Sequence, residues 1–319
     1  MTPIKPLNAP LDADQGNWVD RYAPAPAKPY LRLMRADRLI GVWLLLLPCW
    51  FGLALAAAEG SSLANSAPGA PFLFYALLFA IGAFVMRGAG CAYNDIIDRD
   101  FDGMVERTSL RPIPSGQITV KQAWIFLVVL AVIGLTVLLQ LNHFTIVLGI
   151  SSLALVAAYP FMKRITWWPQ VWLGLTFNWG ALVGYTSITG KLSVSVLLLY
   201  TASLLWTVGY DTIYAHQDKE DDALIGVKSS ARALEQKTPL VLGFLYAGVI
   251  ALFAIIGVVS HFSTIYFAAL ILPSAHLIWQ VKSLKIDDAA HCLKVFKSNR
   301  EAGFALLAPL LLEWALKAS

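Results

Sequence analysis

Residues 68–102 read PGAPFLFYALLFAIGAFVMRGAGCAYNDIIDRDFD, and this stretch decides the fold. Its first part, Pro68–Met86, carries no charge. That matches a bilayer crossing, which needs about 20 mostly apolar residues. Its end, Asn94–Asp102, holds Asp95, Asp98, Asp100 and Asp102. An apolar span that delivers carboxylates to one membrane face is the unit from which the remaining chain can be read.

The same test finds Leu39–Ala58 before this span. After it come Gln122–Asn142, His143–Met162, Ile165–Gly190, Leu192–Tyr210, Thr238–Ser260 and His261–Val281. A ninth candidate, Ala302–Leu312, reaches Leu316 only by crossing Glu313. Composition agrees: 58% of the 319 residues are hydrophobic and 14% charged, against about a quarter charged in soluble domains. The expectation is an all-α polytopic membrane protein with nine transmembrane helices. The net charge of +4 gives no reason to expect a nucleic-acid partner. Cys49, Cys91 and Cys292 are far apart, and the five histidines are scattered, so neither residue type suggests a metal site.

Basic residues give an orientation. With a cytoplasmic N-terminus, only Lys191 and Lys317 of the 24 Lys and Arg fall outside the cytoplasmic segments, as the positive-inside rule requires. The C-terminus is then outside. Two cytoplasmic connections, 87–121 and 211–237, are long and charged, and chemistry is expected there. Residues 1–30 are rich in Pro and Ala, with Asp12, Asp14 and Asp20. They read as a flexible cytoplasmic tail rather than a signal peptide or mitochondrial presequence, ahead of a single membrane domain at 31–319. A bacterial-type inner membrane is the expected setting.

The sixth span runs into Asp218-Lys-Glu-Asp-Asp222, so a second D-x-x-x-D pair follows Asp98/Asp102 at an offset of 120 residues. Four-residue spacing puts two side chains on one helical face. Paired carboxylates repel unless a cation neutralises them, and Mg²⁺ takes one or two carboxylates together with substrate phosphates. A single D-x-x-x-D would read as a solvated acidic loop. Two in register, each ending an even-numbered span, read as a doubled site for a diphosphate with bridging Mg²⁺. Arg107 and Arg111 follow the first cluster, Lys228 follows the second, and Lys163-Arg164 closes the fourth span on the same side. Such residues bind phosphate, although the orientation bias alone also accounts for any one of them. The aromatic residues of the fifth span, from Trp167 to Tyr185, suit packing and also cation–π stabilisation of a carbocation.

The chain resembles the UbiA superfamily of intramembrane aromatic prenyltransferases. Asn94-Asp95-x-x-Asp98-x-x-x-Asp102 is similar to that family's first motif, and Asp218-x-x-x-Asp222 to its second. Leu33–Asp37, Met86–Cys91, Arg107–Gly116, Tyr159–Arg164, Tyr210–Ala215 and Gly226–Ser230 resemble the 4-hydroxybenzoate polyprenyltransferase branch. The resemblance implies nine helices around a central cavity. It implies Mg²⁺ held by Asn94, Asp98, Asp102, Asp218 and Asp222, with the four aspartates catalytic. Polyprenyl diphosphate would be bound by Arg111, Lys163, Arg164 and Lys228, in a step of ubiquinone biosynthesis. A basic residue among Arg35, Arg38 and Arg87 would take the carboxylate of 4-hydroxybenzoate. The expected partners are these two substrates and the bilayer; the sequence points to no protein partner.

Other acceptors, homogentisate or a dihydroxynaphthoate, stay open within the family. A CDP-alcohol phosphotransferase would need different residues at Arg99, Glu106, Val120 and Trp124. A cation-coupled transporter built on inverted repeats fits less well, because four spans separate the two motifs and place both on one side.

Overall fold

The computed structural model describes residues 16–60, 70–104, 106–224 and 226–318. Among these residues every regular element is helical. In chain order they are α1 (Trp18–Tyr22), α2 (Lys28–Leu33), α3 (Ile40–Ala58), α4 (Ala70–Asp102), α5 (Glu106–Ser109), α6 (Val120–Leu138), α7 (His143–Ile165), α8 (Pro169–Phe177) and α9 (Trp179–Thr189). There follow α10 (Val194–Ala215), α11 (Lys219–Leu224), α12 (Ser230–Leu234), α13 (Thr238–Val259), α14 (Thr264–Ala269), α15 (Ile271–Ser283), α16 (Ala289–Lys297) and α17 (Asn299–Ala318).

Among the described residues seven helical segments are long and apolar enough to cross a bilayer, and the protein is an integral membrane protein. They are the first four expected spans and the sixth, seventh and eighth. The other two expected spans differ from a simple apolar rod. The fifth is broken into α8 and α9 at Asn178, so neither piece reaches crossing length alone. Asn178 Nδ2 donates to the Gly174 carbonyl (2.8 Å) and to Thr207 Oγ1 (2.8 Å), bridging the break to α10. The ninth is one helix of 20 residues, but it carries Arg300, Glu301, Glu313 and Lys317.

Helix ends follow local chemistry. Thr119 and Gln122 form a reciprocal capping box at the start of α6. Asn142 and Ser193 cap α7 and α10. Gly190 ends α9 in the left-handed region, at φ 66°, which glycine adopts without strain.

The chain divides into two compact units, residues 1–43 with 81–139 and residues 44–80 with 140–319. In the first unit, α2 and the 110–118 loop pack on α4 and α6 through Leu33, Ala92, Ile96, Ile113, Ile118 and Ala123. Within residues 16–30, Val19 joins a neighbouring cluster with Met34, Ala36, Val85, Ala89 and Leu130. Val19 is fully buried, Trp18 Nε1 donates to the Ala36 carbonyl (2.7 Å), and Arg32 pairs with Asp20 (2.8 Å). An apolar pair beside one matched ion pair is enough to hold this stretch down; the rest of the expected tail, residues 1–15, lies outside the described residues.

In the second unit, Trp206 of α10 is fully buried against Phe51 of α3 (5.9 Å between ring centroids), and its Nε1 donates to Asn299 Oδ1 of α17 (2.9 Å). Here α3 and α9 approach to backbone contact. A Cβ on Gly52 would lie 2.0 Å from the Ala181 carbonyl oxygen, and one on Gly184 would lie 2.1 Å from that of Cys49. Small residues that let helix backbones touch are the usual packing device inside a bilayer. At one end of this unit Glu59 accepts from Tyr185 Oη (2.7 Å) and Ser260 Oγ (2.6 Å), joining the ends of α3, α9 and α13.

Candidate active site

α4 has 33 residues. At 1.5 Å per residue it is about 50 Å long, against a hydrocarbon core of about 30 Å. Its C-terminal turns therefore extend past the membrane core as continuous helix. Asp95, Asp98 and Asp102 sit on those turns, at spacings of three and four, within about 60° of helical arc. All three are buried.

Three carboxylates on one buried face need cations, and two arginines supply them. Arg35 stands in the turn between α2 and α3 with φ 60°, a left-handed conformation that turns its side chain onto α4. Its Nη2 lies 2.7 Å from Asp95 Oδ1, and its Nη1 donates to the carbonyls of Arg32 and Leu33. Arg111 reaches from the 110–118 loop. Its Nη1 is 2.9 and 2.8 Å from the two oxygens of Asp102 and 3.4 Å from Asp95 Oδ1. That loop is fixed at several points. Thr108 Oγ1 donates to the Asp102 carbonyl (2.8 Å), Ile118 N to the Pro112 carbonyl (3.0 Å), and Ile113 is buried in the packing with Leu33 and Ile96. The Arg-Pro-Ile-Pro-Ser-Gly segment is thus a rigid arm presenting Arg111 to the carboxylates.

Asp95 is the residue that sequence reading missed. The four-residue spacing drew attention to Asp98 and Asp102. The signal for Asp95 was the preceding three-residue step, which continues the same helical face. Of its two oxygens, Oδ1 serves both arginines, while Oδ2 is buried without a hydrogen-bond partner. Arg38 binds neighbouring Asp37 (3.0 and 3.1 Å). Arg87 lies against the start of α3, where a Cβ on Gly41 would meet its Nε at 2.5 Å.

The second acidic segment is built differently from the expected single helical face. α10 tightens into a 3-10 turn at His216–Asp218 before α11 resumes at Lys219. Asp218 ends that turn, half-buried; the side chain of Asp222 lies outside the described residues. His216 Nε2 and Thr238 Oγ1 are 3.0 Å apart. Burial and the Lys219 ammonium push the His216 imidazole down to about 4, so it is neutral at pH 7. Lys219 points to Asp287 (3.4 Å).

Two of the expected basic elements meet here. Lys228 Nζ donates to the Ile165 carbonyl at the end of α7 (3.2 Å), one residue after Arg164. The Ser230 amide donates to Gln170 Oε1 of α8 (3.1 Å), which pins the Gly226–Ser230 loop to the same place. Arg164 lies 6.0 Å from the Phe161 ring. The Lys163 side chain lies outside the described residues.

Among the described residues no three His, Cys, Asp or Glu side chains already converge on a metal position. The donor set nevertheless suits a hard divalent cation: it is all oxygen, and one of those oxygens, Asp95 Oδ2, is buried without a donor.

Comparison with known proteins identifies the family. The 4-hydroxybenzoate polyprenyltransferase, mitochondrial, of Rattus norvegicus is 45% identical over 91% of this chain and 76% of its own length. The apo structure of a UbiA homolog from Aeropyrum pernix K1 superposes with a TM-score of 0.68 at 24% identity, covering 84% of this chain and 97% of that one. A UbiA homolog from Archaeoglobus fulgidus bound to DMAPP and Mg²⁺ superposes with a TM-score of 0.57 at 17% identity, over 88% of this chain and 99% of that one. Residues 45–307 match the UbiA prenyltransferase family model, and the chain belongs to that family.

Proposed function

We propose that the chain transfers a polyprenyl group from polyprenyl diphosphate to the carbon beside the hydroxyl of 4-hydroxybenzoate, a step of ubiquinone biosynthesis. The observation that carries this reading is the buried face of α4, where Asp95, Asp98 and Asp102 line up at the end of a membrane-spanning helix and two arginines bind Asp95 and Asp102. The rat relative supports the acceptor, and the Archaeoglobus structure supports Mg²⁺ and a diphosphate donor.

Asn94, Asp98, Asp102, Asp218 and Asp222 are proposed to hold Mg²⁺. When bound, the metal supplies positive charge that stabilises the departing diphosphate. Arg111, Lys163, Arg164 and Lys228 would grip the same diphosphate, Arg by forked hydrogen bonds and Lys as point charges. The donor's C1–O bond breaks with its electron pair going to the diphosphate. The ring carbon ortho to the hydroxyl bonds to C1, and the ring then loses its proton. Arg35 is engaged with Asp95 and Arg38 with Asp37. One of Arg35, Arg38 and Arg87 is proposed to take the acceptor carboxylate. The polyprenyl tail requires the bilayer; the proposed setting is a bacterial-type inner membrane, and the charge distribution of the loops supports an orientation with the acidic segments and N-terminus cytoplasmic and the C-terminus outside.

Purified protein with Mg²⁺, geranyl diphosphate and a panel of aromatic acceptors tests this. 4-Hydroxybenzoate should be prenylated beside its hydroxyl, and benzoate, which lacks the activating group, should not react. Preference for homogentisate or a dihydroxynaphthoate would move the acceptor assignment and leave the diphosphate chemistry standing. Absence of diphosphate release with every acceptor would overturn the reading.

A further inference from the structure

The two arginines of the α4 cluster are held differently. Arg35 is locked by two backbone carbonyls as well as by Asp95. Arg111 directs one nitrogen at both oxygens of Asp102 and at Asp95, on a side chain that keeps a partly exposed flank (12%). Asp102 is also a proposed metal ligand. Its two oxygens accept from a guanidinium in this structure, so cation binding there must compete with Arg111. A dication and a guanidinium on one carboxylate also repel each other. A diphosphate changes that balance, because it offers Arg111 a partner of higher charge and matching fork geometry.

We infer that Arg111 is an internal stand-in cation: it holds Asp102 until metal and diphosphate arrive together, and then moves to the diphosphate. Metal and diphosphate binding are thereby coupled, and metal alone binds weakly. The inference rests on the metal and diphosphate assignment proposed above, and it adds an exchange that the assignment does not require. Its benefit is protection of the site: buried carboxylates never stand uncompensated, and no cation is sequestered without substrate. Arg35 remains on Asp95 throughout, so the cluster keeps one fixed cation while the other moves.

The test is Mn²⁺ binding to the detergent-purified full chain, followed by electron paramagnetic resonance, without prenyl donor and with or without inorganic diphosphate. Without diphosphate, Arg111→Gln should bind Mn²⁺ about tenfold more tightly than the natural chain, within the usual range of coupling between sites. Diphosphate should tighten Mn²⁺ binding more in the natural chain than in Arg111→Gln. Arg111→Lys guards against a folding failure of the Gln variant. Its ammonium sits on a shorter side chain and reaches the two carboxylates less well, so it should bind Mn²⁺ roughly threefold more tightly than the natural chain. Equal Mn²⁺ affinity in the natural chain and either variant, or an equal diphosphate effect in the natural chain and Arg111→Gln, overturns the exchange alone. No Mn²⁺ binding to any of the three proteins, with or without diphosphate, overturns the metal assignment beneath it as well.

Discussion

Arg35 Nη2 and Asp95 Oδ1 stand 2.7 Å apart, with both side chains buried, across 60 residues of chain. The pair ties the turn before α3 to the carboxylate face of α4, and it carries the first prediction. Arg35→Ala leaves a buried aspartate with one distant partner, which costs about 3–5 kcal/mol. Thermal unfolding in detergent should show a large loss. The double change Arg35→Met with Asp95→Leu should recover much of it, because an apolar pair needs no compensating charge. An unchanged midpoint in Arg35→Ala would remove this ion pair from the interactions that hold the unit together.

Asp98→Asn keeps size and hydrogen-bonding capacity but removes charge from the proposed metal set. Turnover of 4-hydroxybenzoate should fall about 100-fold or more, the scale of losing one charge-stabilising group, while the unfolding midpoint stays close to that of the natural chain. Full activity in the presence of EDTA would refute the metal role of both acidic segments.

Gly52 faces the Ala181 carbonyl with no room for a Cβ. Gly52→Ala should lower the yield of monodisperse protein sharply. Gly243→Ala, where an added Cβ meets nothing within 4 Å, should not. Equal yields would mean that the α3–α9 approach relaxes at little cost.

The Cys292 thiol is pushed up to about 11, by burial first and then by Asp288 and Asp287. A raised thiol value means the reactive thiolate is scarce, roughly one molecule in a thousand at pH 8. Maleimide labelling followed by peptide mass spectrometry should find Cys292 nearly unmodified at pH 8. Its labelling should rise with pH and on unfolding. Rapid labelling of the native protein at pH 8 would contradict its burial on the inner face of α16.

Reporter fusions after residues 60, 142, 190 and 260 should all report the outer side if the nine-span orientation holds. The fusion at 190 is the sharpest, because it follows the broken span. A cytoplasmic signal there would mean that α8 and α9 turn back without crossing.

The spans were legible because a bilayer demands length and apolarity, both written directly in Leu39–Ala58 or Gln122–Asn142. The break at Asn178 was not. A single asparagine in an apolar stretch gives no local warning, and its partners Gly174 and Thr207 are identified only by packing. The acidic motifs were legible as pairs. The role of Asp95 was hidden because its arginines come from residues 35 and 111, and neither distance in sequence implies contact. The composition of residues 16–30, rich in proline and alanine, gave no sign of the contacts that Val19, Trp18 and Arg32 make.

Glu313 of α17 has a consequence for how the protein is made. It is buried at 1% exposure, and it accepts from the backbone amide and hydroxyl of Ser263 (3.0 and 2.6 Å), with Lys317 one turn away at 3.5 Å. A carboxylate at such a position is costly until its donors surround it. Those donors lie 50 residues upstream, at the start of α14. A helix carrying Glu313 is therefore stable in lipid only when it packs against the start of α14. The order of synthesis, with α14 first and α17 last, is the order this contact requires.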